Sequence, residues 1–185
     1  MIEAAVAAIL AGQVVGVPTD TVYGIGVDPF DQDAVSRLFE LKGRPRHKPV
    51  GVLVATVEQA AEIADLGETG SRLAAAHWPG ALTLVARPKV VMADWVGDEQ
   101  RQSIGIRVPG HEVALELLRS TGPLAVTSAN RSGQAETMDD RTARALFGAS
   151  VAVYLEGTAP GGVASTVVDV TGCAVSVLRQ GPVAI

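Results

Sequence analysis

The feature that most constrains this chain is its hydrophobic pattern, which alternates short β-like runs with short helical stretches and sustains neither. Val14 to Val17, Val50 to Val54, Leu82 to Ala86, Ser103 to Val108 and Leu124 to Thr127 read as strands. Between them, Ile2, Val6, Ile9 and Leu10 recur at helical spacing before Gly12, and Asp31 can cap a helix carrying Val35, Leu38, Phe39 and Leu41. Helical stretches follow around 58–65 and 70–77. His111 can cap a helix bearing Ala114, Leu117 and Leu118, and Asp140 to Phe147 forms a helix stopped by Gly148. Such alternation argues for α/β. The last runs, Val151 to Leu155, Ser165 to Val170 and Ala174 to Leu178, have little or no helix between them, so the sheet is expected to mix parallel and antiparallel pairs. With 185 residues and no linker or repeat, residues 1–185 read as one domain.

Composition excludes several classes. Apolar residues make up 48% and charged residues 19%, which is globular rather than disordered. No apolar run reaches the roughly 18 residues a bilayer span needs, and Met1-Ile2-Glu3 lacks a basic leader, so the expected location is cytoplasmic. The single cysteine, Cys173, excludes an intrachain disulfide and reads as a small buried residue in a strand. A net charge of −5, with three Phe, two Trp and two Tyr, argues against a general nucleic-acid-binding face. Any service to RNA would then run through a small-molecule product.

Four segments carry chemistry. Pro18-Thr19-Asp20-Thr21-Val22-Tyr23-Gly24-Ile25-Gly26 follows a strand, and its proline and glycines allow a close turn that can bring Thr21 and Tyr23 to a small polar ligand; equally it reads as an ordinary strand-turn-strand whose Asp and Thr bond their own backbone. Lys42-Gly43-Arg44-Pro45-Arg46-His47-Lys48 holds four fixed cations, with no acid between Glu40 and Glu58. It reads either as a grip on a polyanion or as a solvated basic loop. Ser128-Ala129-Asn130 follows the Leu124–Thr127 strand, where α/β folds gather ligand loops, and equally suits an Asx/Ser turn. Arg107 and Arg179 end apolar strands near Ser103 and Ser165; each needs a ligand or an internal carboxylate. No Walker-type loop, complete dinucleotide fingerprint, nucleophile elbow or histidine metal spacing is present.

Taken together, the segments resemble the YrdC family. The matching strings are Pro18 to Gly24, Lys42-Gly43-Arg44-Pro45 with Lys48-Pro49, Trp78-Pro79-Gly80 with Leu82-Thr83-Leu84, Arg107-Val108-Pro109, Ser128-Ala129-Asn130 with Ser132-Gly133, Ser165 to Asp169, and Leu178-Arg179-Gln180-Gly181. They run in family order over nearly the whole chain. The resemblance implies a twisted α/β sheet with a large, positively charged concave cavity. It implies a single-domain threonylcarbamoyl-adenylate synthase, a nucleotidyltransferase that joins L-threonine, bicarbonate or CO2, and ATP with release of pyrophosphate. The product would pass to a tRNA threonylcarbamoyl-transferase complex, with direct tRNA binding weak or absent, and Mg2+ would accompany ATP.

By motif position, Lys42, Arg44, Lys48, Ser103, Ser128, Asn130 and Arg179 would hold ATP, with Lys42 and Arg44 as the catalytic cations. Thr21, Arg107 and Ser165 would hold threonine, with Arg107 on its carboxylate and Tyr23 shaping the pocket. Three positions depart from the family pattern: Glu136-Thr137 where relatives often have Ser-Pro, Glu156-Gly157-Thr158 where Asp-Gly-Gly is common, and Lys48 where Asn is frequent. Seven cations lie in or beside the matched strings, namely Lys42, Arg44, Arg46, Lys48, Arg107, Arg131 and Arg179, so one strongly positive cavity is expected. The rival readings are a paralogue or carbamoyl-transfer enzyme on the same fold, and an RNA-binding ribosome-assembly factor.

Overall fold

Side-chain caps start three of the helices. The computed structural model describes residues 1–185, beginning with helix α1 (Ile2–Leu10), strand β1 (Val15–Val17), strand β2 (Gly24–Val27) and helix α2 (Gln32–Lys42). Asp31 caps α2 by accepting from the amides of Asp33 and Ala34, and Gly43 ends it in the left-handed conformation at φ 61°. The chain continues through β3 (Gly51–Leu53), α3 (Val57–Ile63), β4 (Ala64–Asp65), α4 (Gly67–His77), β5 (Leu82–Pro88) and β6 (Ile104–Arg107). It closes with α5 (Glu112–Thr121), β7 (Leu124–Ser128), α6 (Asp140–Phe147), β8 (Val153–Tyr154), β9 (Thr166–Asp169) and β10 (Ser176–Arg179).

The strands form one mixed sheet in the order β10-β9-β5-β6-β3-β7-β2-β1-β8, with β4 pairing beside β5. Pairs β1–β8, β3–β6 and β5–β9 are parallel; the remaining neighbours are antiparallel. Period-two alternation sorts the two faces. In β5, Leu82, Leu84 and Ala86 enter a core with Ile104, Ile106 and Val168, while Thr83 and Val85 face the opposite way. A second core gathers Tyr23, Ile25 and Val35 with Leu38, Phe39 and Phe147.

The structure amends three expectations. Gly24 to Gly26, whose glycines suggested a close turn, belong with Val27 to the strand β2 between β1 and β7, because the two glycines fit where a Cβ would strike Val126. Cys173 is exposed in the turn between β9 and β10, not buried in a strand. His111 stands at the start of α5 but makes no capping bond, and its Nδ1 has no partner. Helix α6 spans Asp140–Phe147 as its pattern suggests, capped by Asp139, which accepts from Thr142 N at 2.7 Å.

Candidate active site

The outward face of the strands is unusually bare. Gly51 of β3 lies opposite Gly105 of β6, so closely that a Cβ on Gly51 would stand 2.9 Å from the Gly105 carbonyl oxygen. Gly24, Gly51 and Gly105 leave room for a concave cavity of about 500 Å³, within the usual range for small-molecule sites. Its wall collects strand-end side chains from six strands and their loops: Thr21, Thr83, Ser103, Arg107, Ser128, Ser165 and Arg179 among them, with Arg44 from the segment after α2.

One end is organised around Arg107, 6% exposed at the end of β6. Its Nε donates to Gly80 O at 2.9 Å, its Nη1 to Thr21 Oγ1 at 2.8 Å, and its Nη2 to the Asp20 carboxylate. Asp20 also accepts from Gly110 N at 2.9 Å. A guanidinium carries five N–H donors, so two remain for a ligand. Burial pulls the Arg107 pKa down and Asp20 opposes that shift, which keeps the charge in place. Thr21 Oγ1 also lies 3.0 Å from Thr19 Oγ1. Beside this end, Ser165 Oγ stands 2.8 Å from Thr83 Oγ1 and accepts from Arg179 Nη2 at 3.2 Å. Burial lowers the Arg179 pKa as well, against the opposing charge of Glu136.

At the other end, Arg44 is splayed across the wall. Its Nε donates to Lys48 O at 2.7 Å and its Nη2 to Pro49 O at 2.8 Å, and its guanidinium carbon lies 5.9 Å from the Phe39 ring centre. Burial lowers its pKa too. Ser128 faces the same space, with its hydroxyl donating to Asn130 Oδ1 at 2.6 Å.

Seven of the sequence-derived site residues therefore share one wall: Thr21, Arg44, Ser103, Ser128, Arg107, Ser165 and Arg179. Four do not. Tyr23 is fully buried in the core and donates to Leu155 O at 2.8 Å, so it shapes no pocket by contact; burial drives its phenol pKa upward. Lys42 is 3% exposed as a residue and absent from the lining, and its ammonium donates to Ser128 O and to Asn130 O and Oδ1 at 2.7 and 3.0 Å. Asn130 is buried in the same knot, and Lys48 is an exposed side chain outside the lining.

The expected gathering of seven cations is corrected in the same way. Arg46 stacks 4.5 Å from the Trp95 ring centre and Arg131 is exposed away from the wall, leaving Arg44, Arg107 and Arg179 of the seven. Arg101 joins them from the β5–β6 loop, and Asp98, Glu136 and Asp169 line the same cavity. Asp20, Thr83 and Arg101 were not singled out from the sequence. A signal existed for Thr83, the lone hydroxyl in an apolar strand, and for Asp20, since a buried Arg107 needs a counter-charge. None existed for Arg101.

Comparison with known proteins places these residues in context. The family model Sua5_yciO_yrdC, described as "Telomere recombination", matches residues 7–181. A Mycobacterium tuberculosis (strain H37Rv) protein, provisionally named a threonylcarbamoyl-AMP synthase, is 48% identical over 187 residues, covering 98% of this chain and 84% of its own. A Pyrococcus abyssi protein named threonylcarbamoyl-AMP synthase is 38% identical over 92% of this chain, which spans 51% of that longer relative. Among solved structures, P. abyssi Sua5 complexed with L-threonine superposes with a TM-score of 0.92 at 35% identity, over 97% of this chain and 54% of its own. Escherichia coli YciO superposes at 0.89 and 25% identity, over 98% of this chain and 89% of its own.

Proposed function

This chain belongs to the Sua5/YciO/YrdC family, and we propose that it acts as a threonylcarbamoyl-AMP synthase, an ATP-using nucleotidyltransferase serving tRNA threonylcarbamoyladenosine formation. The observation that carries the reading is that the residues expected to meet threonine and those expected to meet ATP line one cavity: Arg107, Thr21 and Ser165, with Arg179 bonded to Ser165, share it with Arg44 and Ser128.

Arg107, already braced by Asp20 and Gly80, would turn its two free N–H groups to the carboxylate of threonine. Thr21 and Ser165 would then flank the amino acid. The amine of threonine adds to CO2, losing a proton and forming a carbamate. A carbamate oxygen attacks the α-phosphorus of ATP, the bond to the bridging oxygen breaks, and pyrophosphate leaves. No enzyme nucleophile takes part. What the protein supplies is position and a fixed positive field from Arg44 and Arg179, with Ser103 and Ser128 as polar contacts to the nucleotide. The carboxylates at the wall form no group able to hold a metal by themselves, so Mg2+ would arrive on the ATP phosphates, where it would neutralise charge. The product is expected to go to a tRNA-modifying transferase in the cytoplasm; no helix here is long and apolar enough to cross a membrane.

The deciding experiment measures pyrophosphate release from Mg-ATP with and without L-threonine and bicarbonate. Release only when both are present supports the reading. Glu136, a carboxylate on the wall, favours the second reading, a family member with another substrate. Release that ignores threonine would select it.

A further inference from the structure

We propose that Lys42 is a positioning residue, which holds the Ser128–Asn130 turn in its ligand-receiving shape from behind the cavity wall and touches no phosphate itself. The inference rests on the reading that Mg-ATP binds in this cavity.

An ammonium group has three N–H donors, and all three have protein acceptors: Ser128 O, Asn130 O at 2.7 Å and Asn130 Oδ1 at 3.0 Å. The side chain is absent from the cavity lining and its residue is 3% exposed. The backbone joins the same knot, because Ser132 N donates to Lys42 O at 2.9 Å. Asn130 Oδ1, gripped by the ammonium, also takes the Ser128 hydroxyl proton at 2.6 Å, and Asn130 Nδ2 donates to Gln134 O at 2.6 Å. Lys42 therefore sets the orientation of Asn130, which sets that of Ser128, the member of the turn that faces the cavity.

No carboxylate pairs with this charge. Burial, joined by the neighbouring Arg44, pulls its pKa down to about 8, against the opposing pull of Glu136. A neutral amine has two N–H donors, so deprotonation removes one of the three bonds that hold the knot and loosens it; Asn130 O has no donor but Lys42, whereas Ser128 O also accepts from Asn130 N and Asn130 Oδ1 from the Ser128 hydroxyl. The grip is present below about pH 8 and lost above it.

The test combines Lys42→Met with hydrogen exchange and Mg-ATP binding by calorimetry. Without ligand, the Asn130 and Ser132 amides should exchange faster in Lys42→Met than in the wild type, while the core strands keep their protection. Mg-ATP affinity at pH 7 should drop about tenfold, the scale of one orphaned buried acceptor. Wild-type affinity should fall as pH rises through about 8, and the variant should lose that step. Unchanged exchange at Asn130 and Ser132 would overturn the proposal, even with weakened ATP binding, because that combination marks a direct phosphate contact. If Lys42→Met does not fold, the wild type decides by NMR: the Lys42 Nζ and the Ser132 amide must titrate together, and independent titration would overturn it. Absence of any Mg-ATP binding by the wild type would refute the functional reading, and the ligand-free exchange would still decide the role of Lys42.

Discussion

Asp20 and Arg107 form a nearly buried ion pair at the cavity wall, which ties the proposed threonine contact to stability. Their side chains are 16% and 7% exposed, so removing one leaves the other charge desolvated and alone. Asp20→Ala should lower stability by about 3 kcal/mol in urea unfolding, while the double variant Asp20→Ala, Arg107→Met should cost less than the two single changes added together. Arg44 presents a different case, since its partners are backbone oxygens at the edge of the wall. Arg44→Ala should cut turnover about 10²–10³-fold, the usual cost of one preorganised charge contact, and pyrophosphate release under saturating substrates measures it. Glu136 brings negative charge to the wall, where it favours protonation of Lys42 and Arg179 and would repel the phosphates of a bound nucleotide. Glu136→Ser should tighten Mg-ATP binding up to about fivefold, the range of a partly exposed charge interaction, and calorimetry would read it. These residues differ in legibility. The motif strings point to Arg107 and Arg44, but a string does not say that Asp20 already occupies part of the Arg107 fork.

Elements place these residues, and here the local rules succeed unevenly. Asp31 caps α2 as its position suggests, because the first free amides of a helix need an acceptor and a short carboxylate reaches them. Asp31→Ala should cost about 1 kcal/mol in thermal unfolding. In β5 the alternation of Leu82, Leu84 and Ala86 with Thr83 and Val85 separates core from cavity in the sequence itself. Thr83→Val keeps the shape and removes the partner of Ser165 at 2.8 Å. The KM for threonine should rise several-fold, with stability changed by less than about 1.5 kcal/mol. Strand β2 was legible only as one of two readings of its segment. Gly-Ile-Gly-Val carries weak strand propensity, and it is a strand because β1 and β7 flank it and their side chains need its missing Cβ atoms.

For the whole molecule, charge placement decides ligand response. Four arginines face the cavity against three carboxylates, in a chain whose net charge is −5. Filling the cavity with a polyanion should relieve the repulsion between Arg107 and Arg179. Saturating Mg-ATP should therefore raise the melting temperature, reaching about 2.7 kcal/mol of added stability at a hundredfold excess over Kd, and no thermal shift would refute the site. The sequence by itself determined the α/β class, the mixed sheet and the motif residues that meet at one cavity, because periodicity and capping act over a few residues and the strings are local. Only the tertiary structure decided which of the motif side chains reach that cavity. Arg46 turns to Trp95, Lys42 turns inward to Ser128 and Asn130, and Tyr23 turns to Leu155. Each of those partners is distant in sequence, and a side chain takes whichever acceptor or ring the fold brings within hydrogen-bonding or stacking range.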